Sequence, residues 1–303
     1  MIELQEVTVS FRRGRFGRRR LKALDSFSLT VEPGQVMAIL GPNGCGKSTA
    51  MHTMLGLIPP ESGTVRVAGV APAAGSAIFD RIAYLPEEPH YHSYLTIEEA
   101  VRYYTGLHRR RVPESKVSKA LELLGLDEKK DLLLRKCSKG MKQKAGIAVC
   151  LATEPDLLFL DEPMRGLDPQ SVKLFRDELQ ALNASGATIV LNSHILAEVE
   201  MICTHAAIVR DGRVFRQAPI EKIHAVDRER YVVEISPIAD LPAYFQPHGD
   251  SGETYVGSVP TPQIEEFFRF VDGAGGRVVS AQLSKISLEE AFLAVFEGED
   301  PDG

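Results

Sequence analysis

An α/β protein with a largely parallel sheet, followed by a small α+β domain, is the architecture the sequence predicts. Two observations carry this. Over the first 219 residues, short apolar runs alternate with amphipathic helical stretches. After Pro219 the pattern changes to isolated strands around an amphipathic helix. Strands alternating with helices favour parallel pairing with both sheet faces covered. A chain of 303 residues is long for one domain and comfortable for two, read as 1–219 and 220–303.

The elements follow in order. Ile2 to Val9 alternates as a strand and Phe27 to Val31 as its partner, with the Arg- and Gly-rich segment FRRGRFGRRR read as the loop between them. Glu32-Pro33-Gly34 is a turn. Val36 to Leu40 is a short, continuous apolar run, the mark of a buried strand, and it leads through glycines into a helix over Lys47 to Leu57. Thr64 to Val67 and Ile82 to Tyr84 are further strands. Thr96 and Glu99 form a capping box that opens a helix through Tyr104. Helices follow at Glu114 to Leu124, ended by Gly125, and at Lys139 to Leu151. Strands at Leu157 to Leu160, Thr188 to Leu191 and Ala206 to Val209 enclose helices at Val172 to Leu182 and Leu196 to Ile202. Asp211-Gly212 is a hairpin turn into Val214-Phe215. The second domain is read as strands at Tyr231 to Ile235, Thr254 to Val256 and Val278 to Leu283, with helices at Gln263 to Val271 and Leu288 to Phe296.

Composition excludes several classes. Hydrophobic residues at 44% and charged residues at 25% are those of an ordinary globular chain. The net charge of −6 gives no global attraction to nucleic acid. Charge is uneven, with 16 acidic and 6 basic residues from Ile220 onward. No stretch approaches the roughly 18–20 apolar residues of a membrane helix. The start, MIELQEVTVS, lacks the features of a signal peptide, so a cytoplasmic protein is expected. Cys45, Cys137, Cys150 and Cys203 have no metal-ligand spacing and are expected as reduced thiols.

The chemistry begins at Gly41-Pro42-Asn43-Gly44-Cys45-Gly46-Lys47-Ser48, with Thr49 next along the helix. Glycines let successive backbone N–H groups curl inward around phosphate. The following helix points its positive end at the same place. Lys47 supplies a full charge to the terminal phosphates, and the Ser48 hydroxyl is placed to ligate Mg²⁺. This pattern between a buried strand and a helix indicates a nucleoside triphosphate. At Leu157-Leu-Phe-Leu160-Asp161-Glu162-Pro163 a buried strand ends in two carboxylates. Asp161 can hold Mg²⁺ through water, and Glu162, directed differently, can polarise an attacking water.

Further segments complete a recognisable order. Cys137-Ser138-Lys139-Gly140-Met141-Lys142-Gln143-Lys144 resembles the signature motif of ATP-binding cassette proteins, Gly166-Leu167-Asp168-Pro169 their D-loop, and Tyr84-Leu-Pro-Glu87 the segment ending in their Q-loop glutamine. His194 lies 33 residues past Asp161, where their switch histidine belongs. The resemblance covers residues 2–216 and implies a P-loop ATPase cassette with a mixed sheet and a helical signature subdomain. It also implies ATP and Mg²⁺ as cofactors and a head-to-tail homodimer closing on two ATPs. Ser138 and Gly140 of one subunit would meet the γ-phosphate held by Lys47 of the other. Asp168 would couple the two sites, and His194 would contact the γ-phosphate and position water with Glu162.

The sequence departs from the family pattern in places. Glu87 replaces glutamine; it can ligate Mg²⁺ but adds negative charge. Lys139 and Met141 replace glycine and glutamine. Phe11 is the candidate for stacking on adenine, with Phe16 in competition. Cys45 within the loop is a thiol whose modification would block ATP. The ending Ser287-Leu-Glu-Glu-Ala-Phe-Leu resembles that of cassettes paired with exporter permeases. The implied protein is the peripheral ATPase subunit of an exporter on the cytoplasmic side of the inner membrane, with a separate integral permease and no nucleic-acid partner. The alternative is a soluble cassette ATPase acting on ribosomes or DNA. Such proteins carry two cassettes, or a long coiled coil before the signature, and this chain has neither.

Overall fold

The computed structural model describes residues 1–13, 19–109, 111–193, 195–223, 226–238, 240–250, 254–285 and 288. The chain divides into two compact units, Met1–Ile220 and Glu221–Gly303.

In the first unit, β1 (Ile2–Arg13) and β2 (Arg19–Val31) pair antiparallel. The arginine-rich segment is therefore less of a loop than expected, since both its flanks are strand and Arg12 and Arg13 lie opposite Arg20 and Arg19. A hairpin ladder, once begun by its buried apolar residues, extends into polar sequence because exposed backbone still gains its hydrogen bonds. β3 (Val36–Leu40) is buried at every position and runs into α1 (Lys47–Met54). β4 (Ser62–Val67) joins the other side of β1, completing a sheet in the order β2–β1–β4.

After β5 (Ile82–Leu85) come three helices: α2 (Ile97–Thr105), α3 (Glu114–Leu123) and α4 (Lys139–Thr153). The capping box on α2 is present in full. The Thr96 hydroxyl accepts from the Glu99 N–H at 3.2 Å, and the Glu99 carboxylate accepts from the Thr96 N–H at 2.8 Å. The chain then alternates through β6 (Leu157–Asp161), α5 (Pro169–Ala184), β7 (Thr188–Asn192), α6 (Leu196–Ile202), β8 (His205–Arg210) and β9 (Arg213–Pro219), and reaches the short α7 (Ile220–Ile223). The second sheet has the order β5–β6–β7–β3–β8–β9. Its pairs are parallel except β8 with β9. Asp211 and Gly212 both have positive φ, 50° and 74°, as a tight two-residue hairpin turn requires.

This strand order places the site. β3 lies between β7 and β8, and β6 lies on the far side of β7. The carboxyl ends of β3, β6 and β7 therefore sit side by side, where ligands gather in open α/β sheets.

The second unit is a sheet in the order β11–β12–β10–β13, all antiparallel, built from β10 (Val226–Ile235), β11 (Gln246–Asp250), β12 (Tyr255–Pro260) and β13 (Val278–Lys285). Helix α8 (Ile264–Gly273) buries Phe267 and Val271 in a core with Val233, Ile235, Val259 and Phe245. Phe245 and Phe267 stack with centroids 5.4 Å apart. β11 is absent from the expected elements because Gln-Pro-His-Gly-Asp has no strand propensity of its own. It is strand because β12 offers it an edge to pair with. Of the expected helix at Leu288 to Phe296, only Leu288 is among the described residues, and it is buried.

Candidate functional site

Gly46 ends the loop after β3 at φ 112°, a conformation that L side chains rarely adopt, and a Cβ there would lie 2.4 Å from the Ala23 carbonyl oxygen. Glycine is therefore required, and the chain turns directly into α1. The Lys47 ammonium curls back over the loop and donates to the carbonyls of Gly41 at 2.6 Å and Pro42 at 3.1 Å. Its side chain is buried, so its charge is focused on the loop.

A cavity of about 520 Å³ opens here. Asn43, Gly44, Gly46, Lys47, Ser48 and Thr49 line one side. Glu87, Asp161, Glu162 and Arg165 line the other. Gly41, Pro42 and Cys45, of the same loop, are not in the lining. The Cys45 thiol is buried, and burial pushes its pKa up against the opposing pull of Lys47.

Asp161 closes β6 and Glu162 follows it directly, and both line the cavity. Asp161 is buried and accepts a hydrogen bond from the Asn192 side-chain amide at 3.2 Å. Glu162 has φ 49°, an unusual value for a residue with a side chain, and its N–H donates to the Asn192 carbonyl at 3.0 Å. Backbone strain of this kind collects at sites of chemistry. Asn192 thus holds the Asp161 carboxylate through its side-chain amide and the Glu162 backbone through its carbonyl. Behind them, Tyr84 shares a hydrogen bond of 3.0 Å with the His52 ring, tying β5 to α1. Burial, together with the Asp161 charge, pushes the Tyr84 hydroxyl up to about 12.

The oxygen donors predicted for Mg²⁺, the Ser48 hydroxyl and the Asp161 and Glu87 carboxylates, all face this cavity and suit a hard cation. Among the described residues no group of three or more His, Cys, Asp or Glu forms a metal site by itself. An ion here would complete its coordination from phosphate and water. Glu87 is ion-paired with Arg165, and Glu88 with Lys139 at 2.6 Å.

Ser138, Gly140 and Asp168 do not line the cavity. Ser138 caps α4, its hydroxyl accepting from the Met141 N–H at 3.2 Å. A Cβ on Gly140 would lie 2.5 Å from the Gly166 carbonyl oxygen, so the signature helix and the D-loop meet backbone to backbone. Asp168 caps α5, accepting from the Ser171 N–H at 2.9 Å and the Ser171 hydroxyl at 2.7 Å, with Lys144 at 3.1 Å. The Ser171 hydrogen bonds, and then Lys144, hold its carboxyl well below the usual range. The buried Gln143 of α4 also donates to the Pro163 carbonyl at 3.2 Å, next to Glu162 in sequence.

Phe11 lies on β1 opposite Leu21, exposed and outside the lining of the cavity. His194 and Phe16 lie outside the described residues. Sequence reasoning did not name Arg165 or Ala23, and it gave no role to Asn192, two residues before His194, or to Lys144, within the signature segment. Only Arg165 left a signal, because an extra carboxylate at Glu87 calls for a cation nearby.

A family model described as ABC transporter matches residues 24–165. Over 96% of its length the chain is 35% identical to an uncharacterized ABC transporter ATP-binding protein of Nostoc sp., covering 88% of that protein. It is also 35% identical to the bacitracin transport ATP-binding protein BcrA of Enterococcus faecalis, over 70% of each chain. Among solved structures it is similar to an ATP-binding subunit of an ABC transporter, with a TM-score of 0.65, 29% identity, and coverage of 74% of this chain and 91% of that one.

Proposed function

The chain belongs to the ABC transporter family as an ATP-binding, ATP-hydrolysing subunit, and from that premise we propose that it pairs head-to-tail with a second copy and drives a separate membrane permease in the direction of export. Residues 1–219 would be the ATPase domain and 220–303 an accessory domain.

One observation supports the pairing above the others. The phosphate loop, Asp161 and Glu162 share one cavity, whereas Ser138, Gly140 and Asp168 lie outside it, held by their own helix caps. Groups expected at the same γ-phosphate are thus divided within one chain, and a second copy can supply the missing half. On this reading Lys47 and the loop N–H groups hold the phosphates, and Ser48, Asp161 and Glu87 are the ligands for Mg²⁺. Mg²⁺, when bound, neutralises the charge developing on the phosphate oxygens. Glu162 accepts a proton from the attacking water, and His194 steadies that water. Ser138 and Gly140 of the opposing copy close over the γ-phosphate, and Asp168 links the two sites.

The test is Glu162→Gln. Turnover should fall by ~10²–10⁴-fold while ATP binding persists. With hydrolysis blocked, an ATP-dependent dimer should accumulate and be seen by light scattering. A variant that stays monomeric at saturating Mg-ATP would overturn the pairing, and one that hydrolyses at the original rate would remove Glu162 as the base.

A further inference from the structure

Glu87 and Glu88, just past β5, each face a cation from a different part of the first unit. Glu87 pairs with Arg165, three residues beyond Glu162. Glu88 pairs with Lys139, the first residue of α4, and Lys139 holds the Glu88 carboxyl below the usual carboxylate range. The segment leaving β5 is thus pinned from two sides, and one of the pins lies inside the phosphate-loop cavity, where both Glu87 and Arg165 form part of the lining.

The charges in that cavity are poorly matched to a polyanion. Among the described residues of the lining, two are cations, Lys47 and Arg165, and three are carboxylates, Glu87, Asp161 and Glu162. Asp161 accepts from a neutral amide, and the Lys47 ammonium donates to two carbonyls of its own loop. Glu87 receives a full counter-charge from within the lining, and that charge comes from Arg165. Without Arg165, the Glu87 carboxylate would face the cavity without this counter-charge, and its field would oppose entry of a triphosphate. The Arg165 and Glu87 side chains are 47% and 44% exposed, so the pair can open without repacking any core.

We infer that Arg165 is a positioning residue that holds the place of a divalent cation at Glu87. It neutralises the carboxylate while nucleotide enters, and releases it once the metal is bound with the phosphates. This rests on the nucleotide site proposed above. A carboxylate at position 87 and a guanidinium at position 165 are then one device, and neither works alone.

The test is equilibrium binding of a fluorescent ATP analogue to the full chain, once with excess chelator and once with excess Mg²⁺. Four proteins are compared: wild type, Arg165→Ala, Glu87→Gln and the double variant. Arg165→Ala should weaken metal-free binding on the order of tenfold, the effect of one uncompensated charge at a half-exposed site. It should weaken Mg²⁺-dependent binding far less, and the double variant should recover metal-free binding. Equal weakening in both conditions would overturn the inference. So would a double variant as weak as Arg165→Ala, since Arg165 would then be meeting phosphate directly. A wild-type chain that binds only with Mg²⁺ would overturn it too, whereas one that binds in neither condition would refute the nucleotide site itself.

Discussion

The four cysteines respond to their surroundings in the same direction. Cys45, Cys137, Cys150 and Cys203 are all buried, and burial raises the pKa of each thiol, that of Cys150 to about 12. The thiolate is the reactive form, so these groups should be slow nucleophiles near neutral pH. Cys45 is the informative one. It lies within the phosphate loop, where the sequence alone suggests a switchable thiol, yet its sulfur packs so tightly that a Cβ on Gly41 would come within 2.4 Å of it. Treatment of the native protein with iodoacetamide at pH 8 should leave ATP binding intact, and peptide mass spectrometry should find Cys45 unmodified. Urea should make all four thiols reactive. Rapid labelling of Cys45 in the folded chain would contradict the enclosed thiol. The sign is fixed by the raised pKa: protection is full below the ordinary thiol range and is lost as pH climbs toward the folded value.

At the level of elements, the junction between α4 and the D-loop depends on an absent side chain. Gly140 faces the Gly166 carbonyl so closely that alanine would force backbone apart. Gly140→Ala should destabilise the unit by about 1–3 kcal/mol, the usual cost of overpacking, and lower ATP turnover further than that loss alone explains. Paired denaturation and hydrolysis measurements would check this, and an unchanged rate would mean the junction is not part of the machinery. The elements most legible from sequence were those defined locally. The Thr96–Glu99 box marks the start of α2, the Asp211-Gly212 dipeptide marks the β8–β9 turn, and the glycines and lysine of residues 41–48 mark the phosphate loop. What escaped is tertiary. β11 exists through its partner strand, Glu87 meets Arg165 across 78 residues, and Asn192 meets Asp161 across 31. No period or motif encodes such contacts, because each joins segments that only the strand order brings together.

For the whole molecule, the decisive question is what it couples to. Among the described residues no helix is long and apolar enough to cross a membrane, and the proposal above assigns the membrane spans to a separate permease. A tagged copy recovered from detergent-solubilised membranes should bring down a polytopic membrane protein in stoichiometric amount, identified by mass spectrometry. Recovery with ribosomes or DNA would favour a soluble cassette ATPase instead. The strand order also affects how the chain is made. β3 is complete by Leu40, but its neighbours β7 and β8 begin at Thr188 and His205. At synthesis rates of about 5–20 residues per second, the ribosome needs roughly seven to thirty seconds more before β3 can acquire either neighbour. Throughout that interval a wholly apolar strand has no sheet to join, and the phosphate loop behind it has no fixed shape. Pairings so distant in sequence also form slowly once the chain is free. The nascent subunit thus exposes a wholly apolar strand long before its sheet neighbours exist, and shielding it until β7 arrives is a task for the cell's chaperones.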